Sequence, residues 1–367
     1  MTPRGRYTRH MRNLLVLGIV GVVCACGGII SGATDGGGDG SVVLPPSGPG
    51  QPPAPPQGGG TPAPNDLATF AIQTLFLGES NRTGGALSVY AWKDYGYDLD
   101  GLVTTKTSAD VCTLAVGAPK ANQTDGNDGI DNAWGAVILP IIQTAASLPT
   151  PSQVVSQSIQ SGANTLELMV SGLSTDPAQS STGLRLQVFA GGVYPGKPAF
   201  DSSTVWPVLA SSLADGQTIA GGARTAFHDA YVTNGTFVSG PTAGTLTVSL
   251  VFQGAPIALV LHHPIVSFDH TSDAVAENGT IAGVLDPNEF VAMFKAMAGR
   301  VSTSLCGSAF DGIAQQILQA QDILSDGTNA PGQVCDGISI GLGFTALRIA
   351  NPSQVEADPP PPPDPCF

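Results

Sequence analysis

Two aspartate-rich segments carry the side chains whose types and spacing could do chemistry. One holds Asp98 and Asp100, and the other, residues 125–132, reads Asp-Gly-Asn-Asp-Gly-Ile-Asp-Asn. Closely spaced carboxylate and amide oxygens on glycine-containing turns suit calcium, which takes about 6 to 8 oxygen ligands at about 2.3–2.6 Å. The candidate calcium ligands are Asp98, Asp100, Asp125, Asn127, Asp128 and Asp131.

The spacing of these residues is not that of an EF-hand. If Gly129 is taken as the sixth residue of such a loop, Thr124 and Gly126 stand where ligands are required. The alternative is a pair of polar turns in which Asp and Asn side chains bond to their own backbone. Repulsion among the aspartates in the absence of a cation argues for calcium, and both interpretations stay open at this point.

Histidines beside aspartates form a second candidate site. If the strands that carry them were neighbours, they could hold an open zinc site, or a general base oriented by a carboxylate as in a hydrolase. The alternative is ordinary histidines at strand ends, because adjacent strand residues such as His262 and His263 face opposite sides. The residues of this alternative site are His228, Asp229, His262, Asp269 and His270.

Residues 191–197, Gly-Gly-Val-Tyr-Pro-Gly-Lys, match the first seven positions of a phosphate-binding loop. Pro198 stands where Ser or Thr should coordinate magnesium, and no helical pattern follows. We therefore expect no nucleotide cofactor. The sequence also lacks a G-x-S-x-G elbow, so it gives no support for a serine hydrolase.

The amino-terminal residues predict the cellular location of the protein. Four arginines precede an apolar run over residues 14–23, which is much shorter than the roughly 20 residues that span a bilayer. The segment Val23-Cys24-Ala25-Cys26 resembles a bacterial lipobox, which makes Cys26 the lipidated first residue; an ordinary secretory signal is the alternative. Such lipoproteins tend to stay at the inner membrane when Asp follows the cysteine. Gly27 here implies a lipid anchor at the outer membrane or cell surface.

Composition divides the rest of the chain into three parts. Residues 1–25 form the signal peptide, and residues 26–64 form a Gly/Pro-rich tether with too few apolar side chains to fold. Residues 65–355 form a globular body, and residues 356–367 form a Pro-rich tail. The net charge of -14 argues against a nucleic-acid partner, because phosphate binding needs a basic face.

Period-two alternation predicts strands through much of the body. Residues 245–252 and 257–261 predict a hairpin, and Asn234-Gly235 and Asn278-Gly279 predict two more hairpin tips. Helices are expected only over about 287–325, where Asp286 precedes Pro287 and a second helix starts near Ser308. We therefore expect a mainly β protein, a jelly-roll-like β-sandwich with a short two-helix segment near the carboxyl end.

Four cysteines remain for the exported chain: Cys112, Cys306, Cys335 and Cys366. An even number in an exported protein predicts two disulfides, with three possible connectivities. Cys306 and Cys335 flank the second predicted helix, so we favour that pair, which leaves Cys112 for Cys366. The second bridge would fasten the tail to the body.

Three motifs carry a family resemblance. They are residues 96–101 (Gly-Tyr-Asp-Leu-Asp-Gly), residues 128–132 (Asp-Gly-Ile-Asp-Asn) and residues 335–341 (Cys-Asp-Gly-Ile-Ser-Ile-Gly). Together they resemble exported proteins and lipoproteins of myxobacteria-like bacteria, a family without an assigned activity. The resemblance covers much of the body, implies location and fold, and supplies no catalytic residues.

The favoured function is a lipid-anchored cell-envelope surface protein with a non-catalytic binding or structural role, stabilised by calcium, whose partner would be a glycan or an envelope protein. The alternative is a secreted hydrolase that acts on glycan or peptide through carboxylate or His/Asp residues. Convergence of the histidine and aspartate residues in a pocket would favour the hydrolase. Their separation, with the aspartates of the two acidic segments in one place, would favour the binding protein.

Overall fold

The computed structural model describes residues 50–62, 66–242, 244–252, 255–301 and 303–360, together with Pro363 and Cys366. The predicted signal peptide, the lipobox and Cys26 lie outside these residues. The strands are β1 (Leu67–Phe76), β2 (Thr165–Ser171), β3 (Ser181–Gly191), β4 (Val208–Leu209), β5 (Thr225–Thr233), β6 (Thr236–Val238), β7 (Leu246–Phe252), β8 (Ala255–Ser272), β9 (Val275–Leu285), β10 (Ile338–Ile349) and β11 (Val355–Glu356). The helices are α1 (Leu139–Ala146), α2 (Pro151–Gln160), α3 (Pro287–Val301) and α4 (Ser308–Leu318).

Eight of the strands close into an antiparallel barrel. Their order is β3-β2-β1-β10-β9-β8-β6-β5, and β5 pairs with β3 to complete the ring. Strand β7 pairs with the first half of β8, β4 pairs with the end of β3, and β11 runs parallel to β4 outside the barrel. No helix of the described residues is long and apolar enough to cross a membrane.

The expected jelly-roll-like β-sandwich is therefore wrong, because the sheet closes on itself. Alternation along a strand shows which side chains share a face, and it is the same in a sandwich and in a barrel. Closure depends on which strands meet at the edges. Here Leu186 of β3 pairs with Val170 of β2 on one side and with Phe227 of β5 on the other. No local sequence pattern specifies that β3 pairs with β5.

Aromatic side chains fill the interior of the barrel. Phe237 and Phe268 stack with their ring centroids 4.8 Å apart, and Phe70 and Phe344 lie 5.6 Å and 6.5 Å from the ring of Phe268. Two strands separate β1 from β8, so the Phe70–Phe268 contact crosses the barrel. All four side chains are buried. The barrel is thus a packed core with its strands fixed in register.

Two of the three predicted hairpins are confirmed. In the first, Leu250 of β7 pairs with Ile257 of β8. In the second, Asn234 and Gly235 link β5 to β6 with φ angles of 49° and 80°. The third prediction is wrong, because Asn278 and its neighbour Gly279 lie inside β9. A Cβ atom on Gly279 would overlap the ring of Phe344, so this glycine makes room for a core side chain rather than for a turn.

Helices α3 and α4 are confirmed, and the carboxylate of Asp286 accepts hydrogen bonds from the first backbone N–H groups of α3. The expectation of helices only near the carboxyl end is wrong, since α1 and α2 precede β2. Helix α2 turns Ser152 and Ser156 towards β1, where their hydroxyls accept from the backbone N–H groups of Leu77 and Leu75. These buried serines interrupt the apolar period by which a helix is recognised.

The two longest insertions in the barrel are residues 77–164 between β1 and β2 and residues 286–337 between β9 and β10. A disulfide joins them, Cys112–Cys335, with Cα atoms 5.2 Å apart. The second disulfide is Cys306–Cys366, with a Cα separation of 5.3 Å. Two disulfides are confirmed, but the favoured pairing of Cys306 with Cys335, and hence of Cys112 with Cys366, is wrong. Backbone hydrogen bonds of Thr113 to Gln333 and Cys335 bring the distant segments together.

Candidate functional site

Three carboxylates meet where the two insertions approach each other. Asp98, Asp100 and Asp131 each offer one oxygen atom, and the three oxygens lie within 4.8 Å of one another. Two oxygens bound to one calcium ion at about 2.4 Å can be at most about 4.8 Å apart, so this spacing fits a shared ion. We call these three residues the aspartate triad.

The first two members of the triad lie in a tight turn. Oδ1 of Asp98 accepts from the backbone N–H of Gly101 at 2.7 Å, and Oδ1 of Asp100 accepts from Leu102 N at 2.8 Å. Gly101 has a φ of +76°, a conformation that favours glycine. The turn therefore folds both carboxylates back over their own backbone and places them side by side.

The third member comes from the second acidic segment, which packs directly on the first. The backbone N–H of Asp131 donates to Tyr97 O at 3.0 Å, and its Oδ2 accepts from Leu99 N at 2.7 Å. Gly129 permits this approach, because it has a φ of +83° and a Cβ there would lie 2.8 Å from Leu102 O. The two Asp/Gly-rich segments are thus two halves of one structure.

Two more buried carboxylates surround the triad. Both oxygens of Asp125 accept from Thr104, through its backbone N–H and its hydroxyl, each at 2.5 Å. Asp322 accepts in the same way from the backbone N–H of Ser339 at 2.9 Å and from its hydroxyl at 2.5 Å. Each of these aspartates therefore bonds to the backbone and the hydroxyl of one residue, and the Thr104 hydroxyl also contacts Gln123 O.

The second insertion supplies residues that the sequence reasoning missed. Asn329 donates through Nδ2 to Oδ2 of Asp100 at 2.9 Å and accepts through Oδ1 from Cys112 N at 2.5 Å. Asp322 comes from the same insertion. Asn329 follows an Asp326-Gly327 turn of its own. No signal in the sequence links this turn or Asp322 to the two acidic segments of the first insertion.

Two of the predicted calcium ligands lie away from the triad. Asn127 is exposed, and its amide donates to Oδ1 of Asp94 at 2.5 Å. Asp128 is exposed with a left-handed φ of +55° and belongs to the turn itself. Of the six candidates, the structure brings three together, places Asp125 beside them, and leaves these two at the surface.

Burial dominates the electrostatics of the cluster. It raises the pKa of Asp125 and of Asp322 to about 7, and it raises the pKa of Asp131 well above its ordinary value, with repulsion from the neighbouring carboxylates adding to the effect. The ion pairs among the described residues are His262–Glu289 and Arg348–Asp273, so none involves the cluster. Ionising it without a cation is therefore costly.

Two residues of the predicted tether, Gly50 and Gln51, contact the triad. The side chain of Gln51 donates through Nε2 to Asp98 O at 2.7 Å, and Asp98 N donates to Gly50 O at 3.0 Å. Farther along this segment, Pro53 O accepts from the hydroxyl of Tyr231 on β5. Residues 50 and 51 thus lie next to the aspartate triad.

The residues of the alternative site have separate partners. Nε2 of His262 lies 3.2 Å from Oε2 of Glu289, whereas His270 is buried and its Nε2 bonds to Ser174 O at 2.8 Å. Asp269 accepts from Thr236 and Asn278. His228 and Asp229 are exposed on β5. Within the described part of the chain, the aspartate triad is the one group of three or more His, Cys, Asp or Glu side chains close enough to share an ion.

Comparison with known proteins supplies no evidence on the function of the site. No family model matches the chain, and neither does any curated protein or solved structure. Function therefore has to be argued from the geometry of the described residues.

Proposed function

We propose that this protein is a lipid-anchored cell-envelope protein with a non-catalytic binding role, and that calcium fixes its two insertions to each other. The observation that carries the proposal is the aspartate triad, whose oxygens from Asp98, Asp100 and Asp131 lie within 4.8 Å of one another. Asn329 of the second insertion bonds to Asp100, so an ion held by the triad would also order the segment that follows α4.

The chemistry of the triad favours calcium over other metals. All three side chains offer hard oxygen ligands, whereas zinc prefers sulfur and nitrogen. The ligands come from turns rather than from a rigid scaffold, and calcium accepts the irregular geometry that magnesium disfavours. Backbone carbonyls and water would complete the coordination shell.

The positions of the candidate catalytic residues support a binding role over a hydrolase. His228, His262 and His270 do not share a site, and His270 is buried. Asp98 and Asp131 are 7% and 3% exposed, so a glycan or peptide chain could not reach them for acid/base chemistry. The proposed partner, a glycan or another envelope protein, would bind to exposed loops.

Export to an oxidising compartment is supported by the two disulfides, since such bonds are rare in reducing cytosol. The lipobox-like segment at Cys26 would supply the anchor, and Gly50 and Gln51 of the tether that follows it contact the triad. We place the body at the outer membrane or cell surface, where millimolar calcium suits extracellular modules of modest affinity.

Isothermal titration of the purified protein with calcium tests the metal. The wild type should give saturable heat, and Asp131→Asn should abolish it because one charged ligand is lost from the centre. Asp110→Asn is the matched control, since Asp110 is exposed and lies outside the triad. Absence of heat with the wild type, or equal heat from wild type and Asp131→Asn, would contradict the proposal.

Fatty-acid labelling of cells that express the protein tests the anchor. An alkyne-bearing palmitate should label the wild type, and Cys26→Ser should lose the label and release the protein from membrane fractions. Cys24→Ser should keep the label, because Cys26 is the modified residue. Labelling that persists in Cys26→Ser would contradict the assignment.

A further inference from the structure

A cavity of about 750 Å³ opens at one end of the barrel, and none of the residues of the acidic cluster lines it. The beginning of β2, the end of β3 and the beginning of β5 contribute to its walls, and β7 covers it from another side. The segment after β11 completes the rim through Glu356, Asp358 and Pro359. Pockets of about 300–1,000 Å³ hold drug-sized ligands, and the mouths of barrels are common places for them.

The floor and one wall of this cavity are mainly apolar. Leu166, Val188 and Leu246 line it, and all three belong to the buried core. Strand β7 buries Val248 and Leu250 on its inner face and presents Thr247, Ser249 and Val251 of its other face to the cavity. The cavity therefore combines apolar surface for the body of a ligand with hydroxyl groups along one side.

Charged groups lie at the rim of the cavity, and the acidic ones already have hydrogen-bond partners within the protein. Oε2 of Glu356 accepts from Val193 N at 3.0 Å. The two oxygens of Asp358 accept from the backbone N–H and the hydroxyl of Ser211. Gly192 allows this arrangement, because a Cβ there would overlap the carboxylate of Glu356. Through these hydrogen bonds, both carboxylates hold the segments of the rim together.

Arg224 is the cationic side chain of the lining, and it is exposed. Its backbone N–H bonds to Ser212 O, which fixes its position at the beginning of β5. Among the described residues its guanidinium forms no hydrogen bond and no ion pair. A guanidinium presents several donors in a planar fork that matches a carboxylate.

We infer that the cavity binds an amphipathic anion, an apolar chain that ends in a carboxylate. The chain lies against Leu166, Val188 and Val251, and the carboxylate binds Arg224 at the rim. This site is separate from the aspartate triad, so the inference stands or falls independently of the calcium proposal.

Fluorescence titration with cis-parinaric acid, a fluorescent fatty acid, and with its methyl ester tests the inference on the full mature protein. The wild type should bind both probes saturably and the acid more tightly. Arg224→Gln should weaken the acid about tenfold, the effect of losing one charge-assisted contact, and leave the ester unchanged. Arg185→Gln, which removes an exposed arginine of β3 outside the cavity, should change neither.

Filling the cavity tests where the probes bind. Val251→Trp should weaken both probes, and Thr247→Trp is a second variant on the same face of β7 in case the first does not fold; unchanged melting temperature shows that a variant is folded. Saturable binding that survives both tryptophans would overturn the inference, as would an acid affinity that Arg224→Gln leaves unchanged. Stronger competition by dodecylamine than by dodecanoate would overturn the anionic assignment, because it would give the rim the opposite preference.

Discussion

The amide nitrogen of Asn329 lies 2.9 Å from Oδ2 of Asp100, although 229 residues separate the two in the sequence. The other end of the same amide accepts from Cys112 N, next to the Cys112–Cys335 disulfide. One side chain therefore joins the first acidic turn, the second insertion and a disulfide. The aspartate triad lies where the least regular parts of the protein are fastened to each other.

We expect the calcium-free protein to be more stable at acidic pH than at alkaline pH. Burial raises the pKa of Asp322 and of Asp125 from 3.8 to about 7, so the folded state binds more protons than the unfolded state between about pH 4 and pH 7. Folding stability is then lost as pH rises through that window, the reverse of the usual aspartate.

Thermal melts in the presence of a chelator measure this effect. The melting temperature should fall by about 10 °C or more from pH 5 to pH 8, since each group loses about 1.4 kcal/mol per pH unit up to its folded pKa and a large domain shifts by about 2–4 °C per kcal/mol. Asp322→Asn should make the profile less steep, because an amide does not ionise and Asp125 then titrates without it. A melting temperature that rises with pH in both proteins would contradict the expected sign.

We expect replacement of Glu167 to stabilise the folded protein. It is fully buried on β2, neither carboxylate oxygen has a hydrogen-bond partner among the described residues, and burial raises its pKa well above the ordinary value. Glu167→Gln should raise the melting temperature at pH 8 and change it little at pH 4, where the carboxyl is neutral. Equal effects at the two pH values would show that ionisation of Glu167 does not limit stability.

The disulfides predict a specific peptide map. Non-reducing digestion followed by mass spectrometry should yield peptides that link Cys112 to Cys335 and Cys306 to Cys366. Replacing Cys112 and Cys335 together by serine should cost about 2–5 kcal/mol in urea unfolding, because the bond constrains a long loop of the unfolded chain. A peptide that links Cys306 to Cys335 would contradict the observed connectivity.

We expect the addition of one methyl group at Gly341 on β10 to lower the stability of the protein strongly. A Cβ there would overlap Tyr95 O, and it would lie 2.5 Å from Gly96 Cα, so the first insertion could not pack on the strand. Gly341→Ala should therefore lower stability by about 2 kcal/mol or more. Gly312→Ala is the control: Gly312 lies in α4 with open space around it, and alanine should stabilise that helix by about 1 kcal/mol.

Local features of the fold were readable from the sequence. The Asn234-Gly235 turn, the β7–β8 hairpin and the start of α3 at Pro287 each depend on a few neighbouring residues whose conformational preferences agree. Closure of the barrel was not readable, because β3 meets β5 through pairings such as Leu186 with Phe227 that no local preference specifies.

The candidate site likewise has a part that could be predicted from the sequence and a part that could not. The triad could be anticipated, since Asp98, Asp100 and Asp131 lie in two Asp/Gly-rich segments that pack together. Asp322 and Asn329 could not, because a disulfide and backbone pairing bring them from the second insertion. Asn278-Gly279 shows the opposite failure, in which a strong turn signal marks a place where a core ring needs room.

Diffraction from crystals of the protein grown with calcium and with a chelator tests the central claim most directly. We predict an anomalous difference peak in the calcium crystals alone, about 2.3–2.6 Å from oxygens of Asp98, Asp100 and Asp131. Crystals of Asp131→Asn should lack the peak. A triad without a peak at millimolar calcium, or a peak bound only by exposed residues such as Asn127 and Asp128, would contradict the account.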